Sequence, residues 1–403
     1  NMSVLSDKKV LIGISGGIAA YKIPILVRLL IKLKSSVRIV MTPNSKNFVS
    51  PLTLSTLSRN EVLSSFTKEE KDNPTWNNHV ELAKWSDLMI IAPATSNTIS
   101  SMANAKCDNL LLATFLSCSK PVFIAPAMDL DMYNNSSNKQ NIEKLTENGN
   151  NVLPVGSGSL ASGLEGEGRM LEPEQIVEFI ESKILNSLPL YGKNVLITAG
   201  PTYEKLDPVR FIGNNSSGKM GYYLAKNAQK LGANVKLIIG PTNLDMDLDF
   251  IETIRIESSD EMFNMVKKNY KKSDIVISAA AVSDFKPKSI SEKKIKKKNI
   301  LEKIEVVPTI DILSYLGKNK TKQYLVGFAL ETENPIENAK KKLNDKNLDA
   351  IILNSISDFS PISSDENKIT FISSNNNIQY KKKSKDQVSK DIFEQIIKRC
   401  LKK

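Results

Sequence analysis

The chain of 403 residues holds one histidine, His79. It stands in Asn77-Asn78-His79-Val80-Glu81-Leu82-Ala83-Lys84-Trp85-Ser86-Asp87, ahead of an apolar run at 88–92 and the loop Pro93-Ala94-Thr95-Ser96-Asn97-Thr98. Imidazole is the only side chain whose ordinary titration lies near neutrality, so acid or base chemistry that needs one must happen there. Taken alone, a histidine is more often a satisfied surface or core residue than a catalyst. Three other segments are suited to chemistry. Gly13-Ile14-Ser15-Gly16-Gly17-Ile18-Ala19-Ala20-Tyr21-Lys22 follows an apolar run and opens a helical pattern, so its amides would face an anion at a helix N-terminus. It lacks the dinucleotide G-x-G-x-x-G spacing, which favours a mononucleotide, and a tight strand-to-helix turn would explain the glycines equally well. Gly213-Asn214-Asn215-Ser216-Ser217-Gly218-Lys219 spells the phosphate-loop pattern G-x-x-x-x-G-K, but Met220 follows, and methionine cannot ligate magnesium as serine or threonine does. The stretch from Lys286 to Lys298 is the densest basic run and by itself reads as a solvated loop.

The elements that position these residues alternate. Residues 9–15 predict a buried strand, 19–33 a helix and 37–41 a second strand, with further strands at 88–92 and 122–125 and helices at 109–117 and 173–185. Residues 186–192 read as a linker. The pattern then restarts with a strand at 194–199, a helix at 218–231 and strands at 235–239, 275–279, 324–329 and 350–353. An amphipathic helix closes the chain at 388–401. Alternation of this kind predicts two α/β domains with parallel sheets, at 1–186 and 187–403. The length fits, since one core seldom organises so long a chain.

Composition excludes several classes. Hydrophobic residues at 41% and charged residues at 25% are ordinary for a globular protein, and no apolar run approaches the roughly 18 residues of a membrane span. Cys107, Cys118 and Cys400 form neither a disulfide nor a zinc framework. With no secretory leader read in the sequence, a soluble cytoplasmic protein is expected. The net charge of +11 comes from scattered lysines without interleaved aromatics, so neither nucleic acid nor membrane is expected as a partner.

The glycine turn, Met41-Thr42-Pro43, His79 with Trp85-Ser86-Asp87, Pro93 to Thr98, Pro126-Ala127-Met128 and the loop from Gly163 to Met170 together resemble phosphopantothenoylcysteine decarboxylase, over about residues 8–183. The resemblance implies a flavodoxin-like fold. It places FMN against Ser15, Gly16, Gly17, Ile18, Thr42, Phe48, Thr95, Ser96 and Asn97, with Met128, Arg169 and Met170 on the substrate side. It also implies that flavin oxidises the carbon bearing the thiol, so that the thioaldehyde can receive the electrons of the departing carboxylate. His79 is then the acid/base group near that carboxylate, and trimers with flavin at the subunit contacts would let it act across an interface. Two positions depart from the family pattern. Asp129 stands where an asparagine usually holds the carboxylate, and Ser162 stands where a cysteine often donates the final proton. Either Ser162 relays a proton from water, Glu165 or Glu167, or this half stops at the unsaturated enethiol. The first is expected from what the second half resembles.

That second half resembles phosphopantothenate–cysteine ligase over about residues 192–400. The resemblance rests on Gly200-Pro201-Thr202, Asp207-Pro208-Val209-Arg210-Phe211, Asn214, Ser216 to Gly221, Ala279 to Phe285, Lys294-Ile295-Lys296, Val326 to Thr332 and Lys346 to Asp349. It implies a Rossmann-like fold, with CTP bound by Ser278, Ala279, Ala280, Asp284, Phe328, Lys342 and Lys346. Lys294 would sit over the phosphates on a flap, with magnesium accompanying them. Arg210 and Asn214 would face 4'-phosphopantothenate and its acyl-cytidylate, Asn214 polarising the acyl carbonyl while cysteine attacks. Dimeric ligase contacts and trimeric decarboxylase contacts imply a homo-oligomer. The rival readings are a ligase fused to a flavin domain that makes only the oxidised product, and a non-catalytic flavin-binding regulatory protein.

Overall fold

The computed structural model describes residues 3–68, 75–159, 163, 165–246, 248–249, 251–295, 304–331, 333–355 and 364–400. The chain divides into two compact units, Asn1–Asn186 and Ser187–Lys403.

The first unit is built on six parallel strands: β1 (Lys9–Ile14), β2 (Ser36–Met41), β3 (Val62–Leu63), β4 (Leu88–Ala94), β5 (Val122–Pro126) and β6 (Asn151–Val152). Their order is β3-β2-β1-β4-β5-β6, so the direction of winding reverses between β1 and β4. The central strands are apolar on both faces because helices cover both. One layer packs Val10, Ile12 and Ile14 with the helix Ile23–Lys32, and the other packs Leu11, Met89 and Ile91 with the helices Ser96–Ala103 and Leu110–Leu116. In Ile23–Lys32 the buried residues are Ile23, Leu26, Val27 and Leu30, a spacing that puts them on one face. Each such aliphatic side chain contributes about 1.5–3 kcal/mol by leaving water. The single helix predicted from residue 19 is two elements, a 3-10 turn Ile18–Lys22 followed by the α-helix, with Pro24 in its first turn.

The second unit repeats the plan. Its strands are β7 (Asn194–Ala199), β8 (Asn234–Ile239), β9 (Glu252–Arg255), β10 (Ile275–Ser278), β11 (Tyr324–Glu331), β12 (Ala350–Ser355), β13 (Ile369–Ser373) and β14 (Asn376–Gln379). The order is β9-β8-β7-β10-β11-β12-β13-β14. The first six are parallel, and β13 and β14 close the edge as an antiparallel hairpin. Winding reverses between β7 and β10. The helix Lys219–Lys230 lies tightly on β7, for a Cβ at Gly221 would meet the Ala199 Cβ at 2.2 Å. The closing helix Lys385–Cys400 buries Val388, Ile392, Phe393 and Ile396. No helix among the described residues is long and apolar enough to cross a membrane.

Candidate functional sites

In open α/β sheets the strand ends at the reversal of winding leave a crevice for ligands. In the first unit the crevice is a cavity of about 590 Å³. Gly16, Gly17 and Ile18 of the glycine turn line it, with Thr95, Ser96 and Asn97 after β4 and Met128, Asp129, Arg169 and Met170 opposite. Ser15 lies beneath it, 1% exposed, and ties the two turns together. Its hydroxyl donates to the Pro93 carbonyl at 2.6 Å and accepts from the Thr95 N–H at 3.0 Å. Thr95 caps the next helix by accepting from the Thr98 N–H, and Ser96 donates to Asn138 at 2.7 Å. The glycines are needed for contact. A Cβ on Gly16 would lie 2.9 Å from the Asn44 Cβ, and one on Gly17 would lie 3.0 Å from Thr95 Cγ2.

The opposite wall depends on a glycine as well. Gly168 has φ +132° and its carbonyl accepts from the Met128 N–H at 3.0 Å, which holds residues 127–129 against the strand Glu165–Arg169. Tyr133, one turn beyond Asp129, has its phenol pKa raised by burial and by the nearby Glu167 carboxylate. Lys22 is 3% exposed and lines the cavity. Its ammonium donates to the Met170 carbonyl at 3.2 Å and to Glu172 at 2.7 Å, and Arg169 reaches the same glutamate at 3.3 Å. In the sequence Lys22 is only the last letter of the glycine motif. The available signal was a lysine directly before the apolar face of Ile23, Leu26, Val27 and Leu30.

Thr42, Phe48 and His79 stand apart from the cavity wall. Thr42 follows β2 and stands at the N-cap position of the 3-10 turn Pro43–Asn47 without a side-chain capping bond, next to the Asn44 that Gly16 touches. Its hydroxyl is buried with no hydrogen-bond partner among the described residues, and Phe48 is 41% exposed. A buried donor left unpaired fits a polar ligand arriving over this turn. His79 opens the helix His79–Trp85 behind the Asn78 cap. Its ring meets Phe66 and Trp76 edge-on at 6.3 and 6.4 Å, and its Nδ1 is buried without a partner among the described residues. Ser162 lies outside the described residues, as do Lys296 and Thr332 of the ligase-like motifs.

In the second unit the loops after β7 and β10 are locked together. Gly200 has φ +73°, Ala281 donates to its carbonyl at 2.9 Å, and Ser283 donates to the Thr202 hydroxyl at 3.0 Å. Ala279 and Ala280 donate to the carbonyl and hydroxyl of Thr198. Ser278 pairs in register with Gly327, and Phe328 follows on β11, so these predicted nucleotide residues share the C-terminal edge of the sheet. Asp284 is exposed at the same loop. Lys342 pairs with Glu331 at 2.5 Å and Lys346 with Asp311 at 2.8 Å. Burial pushes the Asp311 carboxyl up, but Lys346 and the Ser314 N–H and hydroxyl outweigh it and hold the pKa below the usual carboxylate range.

Between β7 and the helix Lys219–Lys230 the chain forms a hairpin, Tyr203–Lys205 with Phe211–Gly213, and not a direct strand-to-helix turn. Asn214 follows it and gives its amide group to the Val282 carbonyl at 2.8 Å and the Ala281 carbonyl at 3.5 Å. Polarising an acyl carbonyl would require it to release one of these. Arg210 does not stand free either: its guanidinium grips Asp207 and donates to the Ile295 carbonyl at 3.0 Å. Lys294, beside Ile295, is exposed. Among the described residues no group of three or more His, Cys, Asp or Glu side chains is placed to hold a metal ion.

Comparison with known proteins decides the family. The Flavoprotein family matches residues 2–185, and the DNA/pantothenate metabolism flavoprotein C-terminal domain matches residues 190–400. The coenzyme A biosynthesis bifunctional protein CoaBC of Haemophilus influenzae is 40% identical over 399 residues, spanning 99% of this chain and 99% of that protein. The chain belongs to the family of bifunctional coenzyme A biosynthesis flavoproteins. The Bacillus subtilis member is 45% identical over 88% of this chain and 87% of its own length. A cysteine/cysteine sulfinic acid decarboxylase of an unknown prokaryotic organism is 48% identical over 87% of this chain and 99% of its own length. Among solved structures, the C-terminal domain of a CoaBC protein aligns with 53% of this chain and 97% of its own, at 41% identity and a TM-score of 0.46. Within the family, the cavity of the first unit is the flavoprotein half's candidate site and the locked loops of the second are the ligase half's.

Proposed function

We propose that the chain makes 4'-phosphopantetheine in two steps, the second unit joining 4'-phosphopantothenate to cysteine with CTP and the first decarboxylating the product. The observation that carries the reading is the 40% identity to a CoaBC protein over 99% of both chains, since it spans both units in the same order. Glycines that admit close approach at 16 and 17, and the unpaired Thr42 hydroxyl, suit the phosphate and polar edge of FMN. FMN, when bound, supplies a two-electron acceptor and donor. Around it Ser15 sets the spacing of the two turns, Thr95, Ser96 and Asn97 form one wall, and Met128, Asp129, Arg169 and Met170 receive the cysteinyl end of the substrate. Arg169 neutralises a substrate carboxylate that Asp129 would otherwise repel. His79 is the acid/base group. Because it lies with Trp76 away from its own cavity wall, the reading places it at the cavity of a second copy, in a homo-oligomer of the cytoplasm. Ser162 relays the last proton.

In the ligase half, attack of the substrate carboxylate on the α-phosphate of CTP releases pyrophosphate and gives an acyl-cytidylate, which the cysteine amine opens to release CMP. Magnesium enters with the nucleotide's phosphates. Ser278, Ala279, Ala280 and Asp284 face the base, Phe328, Lys342 and Lys346 the nucleotide, and Lys294 the charge that moves onto pyrophosphate. Asn214 faces the acyl intermediate, and Arg210, its guanidinium engaged by Asp207 and the Ile295 carbonyl, supports that side of the site from behind.

A second reading is favoured by the 48% identity to a cysteine/cysteine sulfinic acid decarboxylase, under which the first unit takes free cysteine or its sulfinate. Mass analysis after incubation with 4'-phosphopantothenate, cysteine, CTP and magnesium separates the readings. 4'-Phosphopantetheine supports the proposal. A product two hydrogens lighter means that the chemistry stops at the enethiol, phosphopantothenoylcysteine alone means that the first unit does not act on it, and decarboxylated free cysteine supports the second reading.

A further inference from the structure

Ile295 is held by both of its backbone polar groups. Its N–H donates to Asp207 Oδ2 at 3.2 Å and its carbonyl accepts from the Arg210 guanidinium at 3.0 Å. The clamp is itself braced. Asp207 is 1% exposed, and its Oδ1 accepts the Val209 and Arg210 N–H groups, each at 2.9 Å. Its Oδ2 accepts Arg210 Nε at 3.0 Å and Nη2 at 2.5 Å. One carboxylate thus takes five donors: two close the turn, two fix the arginine and one holds the Ile295 backbone. A second tether lies four residues earlier, where the Ser291 N–H donates to the Leu206 carbonyl at 3.0 Å. Residues 291–295 are therefore pinned along the 206–210 loop while the Lys294 side chain stays exposed between the tethers.

We infer that Asp207 and Arg210 are positioning residues that hold Lys294 in its working place by clamping the backbone of Ile295. The inference rests on the ligase reading above. A lysine stabilises developing phosphate charge only when held where that charge appears, because a mobile ammonium must be reorganised at the moment of reaction. The side chain's own four-carbon stem cannot provide that, so the backbone beneath it must be fixed. Neutralising Asp207 tests this sharply: in Asp207→Asn one oxygen still closes the turn, but an amide –NH2 faces Arg210 and the Ile295 N–H, three donors against a donor. Ile295→Pro breaks the same contact from the exposed side by removing the N–H, and leaves the Asp207 turn intact.

The experiment measures hydrogen exchange of the peptide carrying Ile295 in the full chain with CTP, magnesium and 4'-phosphopantothenate, alongside ligase and decarboxylase kinetics. In Asp207→Asn the expected result is exchange at Ile295 at least about tenfold faster; in both variants it is faster exchange at the Ser291 amide and a ligase kcat at least about tenfold lower, with KM for 4'-phosphopantothenate within about twofold. Decarboxylation of supplied phosphopantothenoylcysteine stays unchanged, and an unchanged unfolding midpoint of the second unit controls for its folding. In a Lys294→Ala background, Asp207→Asn lowers kcat no further. Unchanged exchange at Ile295, or losses that multiply in the double variant, overturns the inference. Failure of the wild-type chain to release pyrophosphate from CTP sinks the ligase reading instead, and the exchange result still decides whether the clamp exists.

Discussion

Gly168 and Met128 are packed backbone to backbone: a Cβ on Gly168 would stand 2.3 Å from the Met128 carbonyl oxygen, while the Met128 N–H donates to the Gly168 carbonyl at 3.0 Å. With φ at +132° the position also disfavours any L side chain. Gly168→Ala therefore costs about 1–3 kcal/mol in backbone strain and pushes residues 127–129 away from the strand. That movement opens the cavity wall holding Asp129 and Arg169. The variant is expected to lose most of its flavin absorbance after gel filtration and its decarboxylase turnover, while pyrophosphate release by the ligase half stays within about twofold.

Ser15 links the same cavity to its other wall. Ser15→Ala removes the donor to Pro93 O and leaves the Thr95 N–H, the first amide of the next turn, without its acceptor. Orphaning buried groups costs about 1–3 kcal/mol. A lower unfolding midpoint in urea for the first unit and an FMN dissociation constant raised about tenfold are expected. An unchanged midpoint would mean that water replaces the hydroxyl.

The parallel cores of both sheets were legible in the sequence because their central strands are apolar runs, β1 and β7 leading into glycine turns. The edges were not. Val62–Leu63, Asn151–Val152 and Glu252–Arg255 are too short or too polar to show a period, and their pairing is decided by the neighbouring strand. The cavity was readable from the residues that line it, but its anchors were less so. Lys22 and Gly168 matter through Glu172 and Met128, which lie 150 and 40 positions away in the chain. The clamp on Ile295 is hidden in the sequence for the same reason: Asp207 belongs to a local motif, but its partner lies 88 residues on.

Asp311 offers a pH signature in the ligase half. Its pKa is depressed despite burial, through Lys346 and the Ser314 donors, so the folded state binds this proton less readily than the unfolded chain. The sign follows: the stabilisation is fully present above the unfolded value, about 3.9, and is lost as pH falls through the depressed folded value. Asn can still cap the helix Ile312–Lys318 but cannot pair with Lys346. The difference in unfolding midpoint between the wild type and Asp311→Asn is expected to be constant from about pH 5 to 8 and to shrink below about pH 4. A gap that widens in acid would contradict the ion pair.

Lys294→Ala removes the exposed cation and leaves the Ile295 backbone, Asp207 and Arg210 in place. The ligase reading gives that ammonium the charge shifting onto pyrophosphate, and an electrostatic contact made in the transition state is worth about a hundredfold or more in kcat. The first unit has its own core and its own cavity, so flavin retention and decarboxylation of supplied phosphopantothenoylcysteine should not change. Ligase kcat should fall about a hundredfold, with CTP binding weakened far less. The two effects are separable by pyrophosphate release and equilibrium binding of CTP. A fall confined to CTP affinity would make Lys294 a ground-state phosphate contact, and wild-type turnover would remove it from the site altogether.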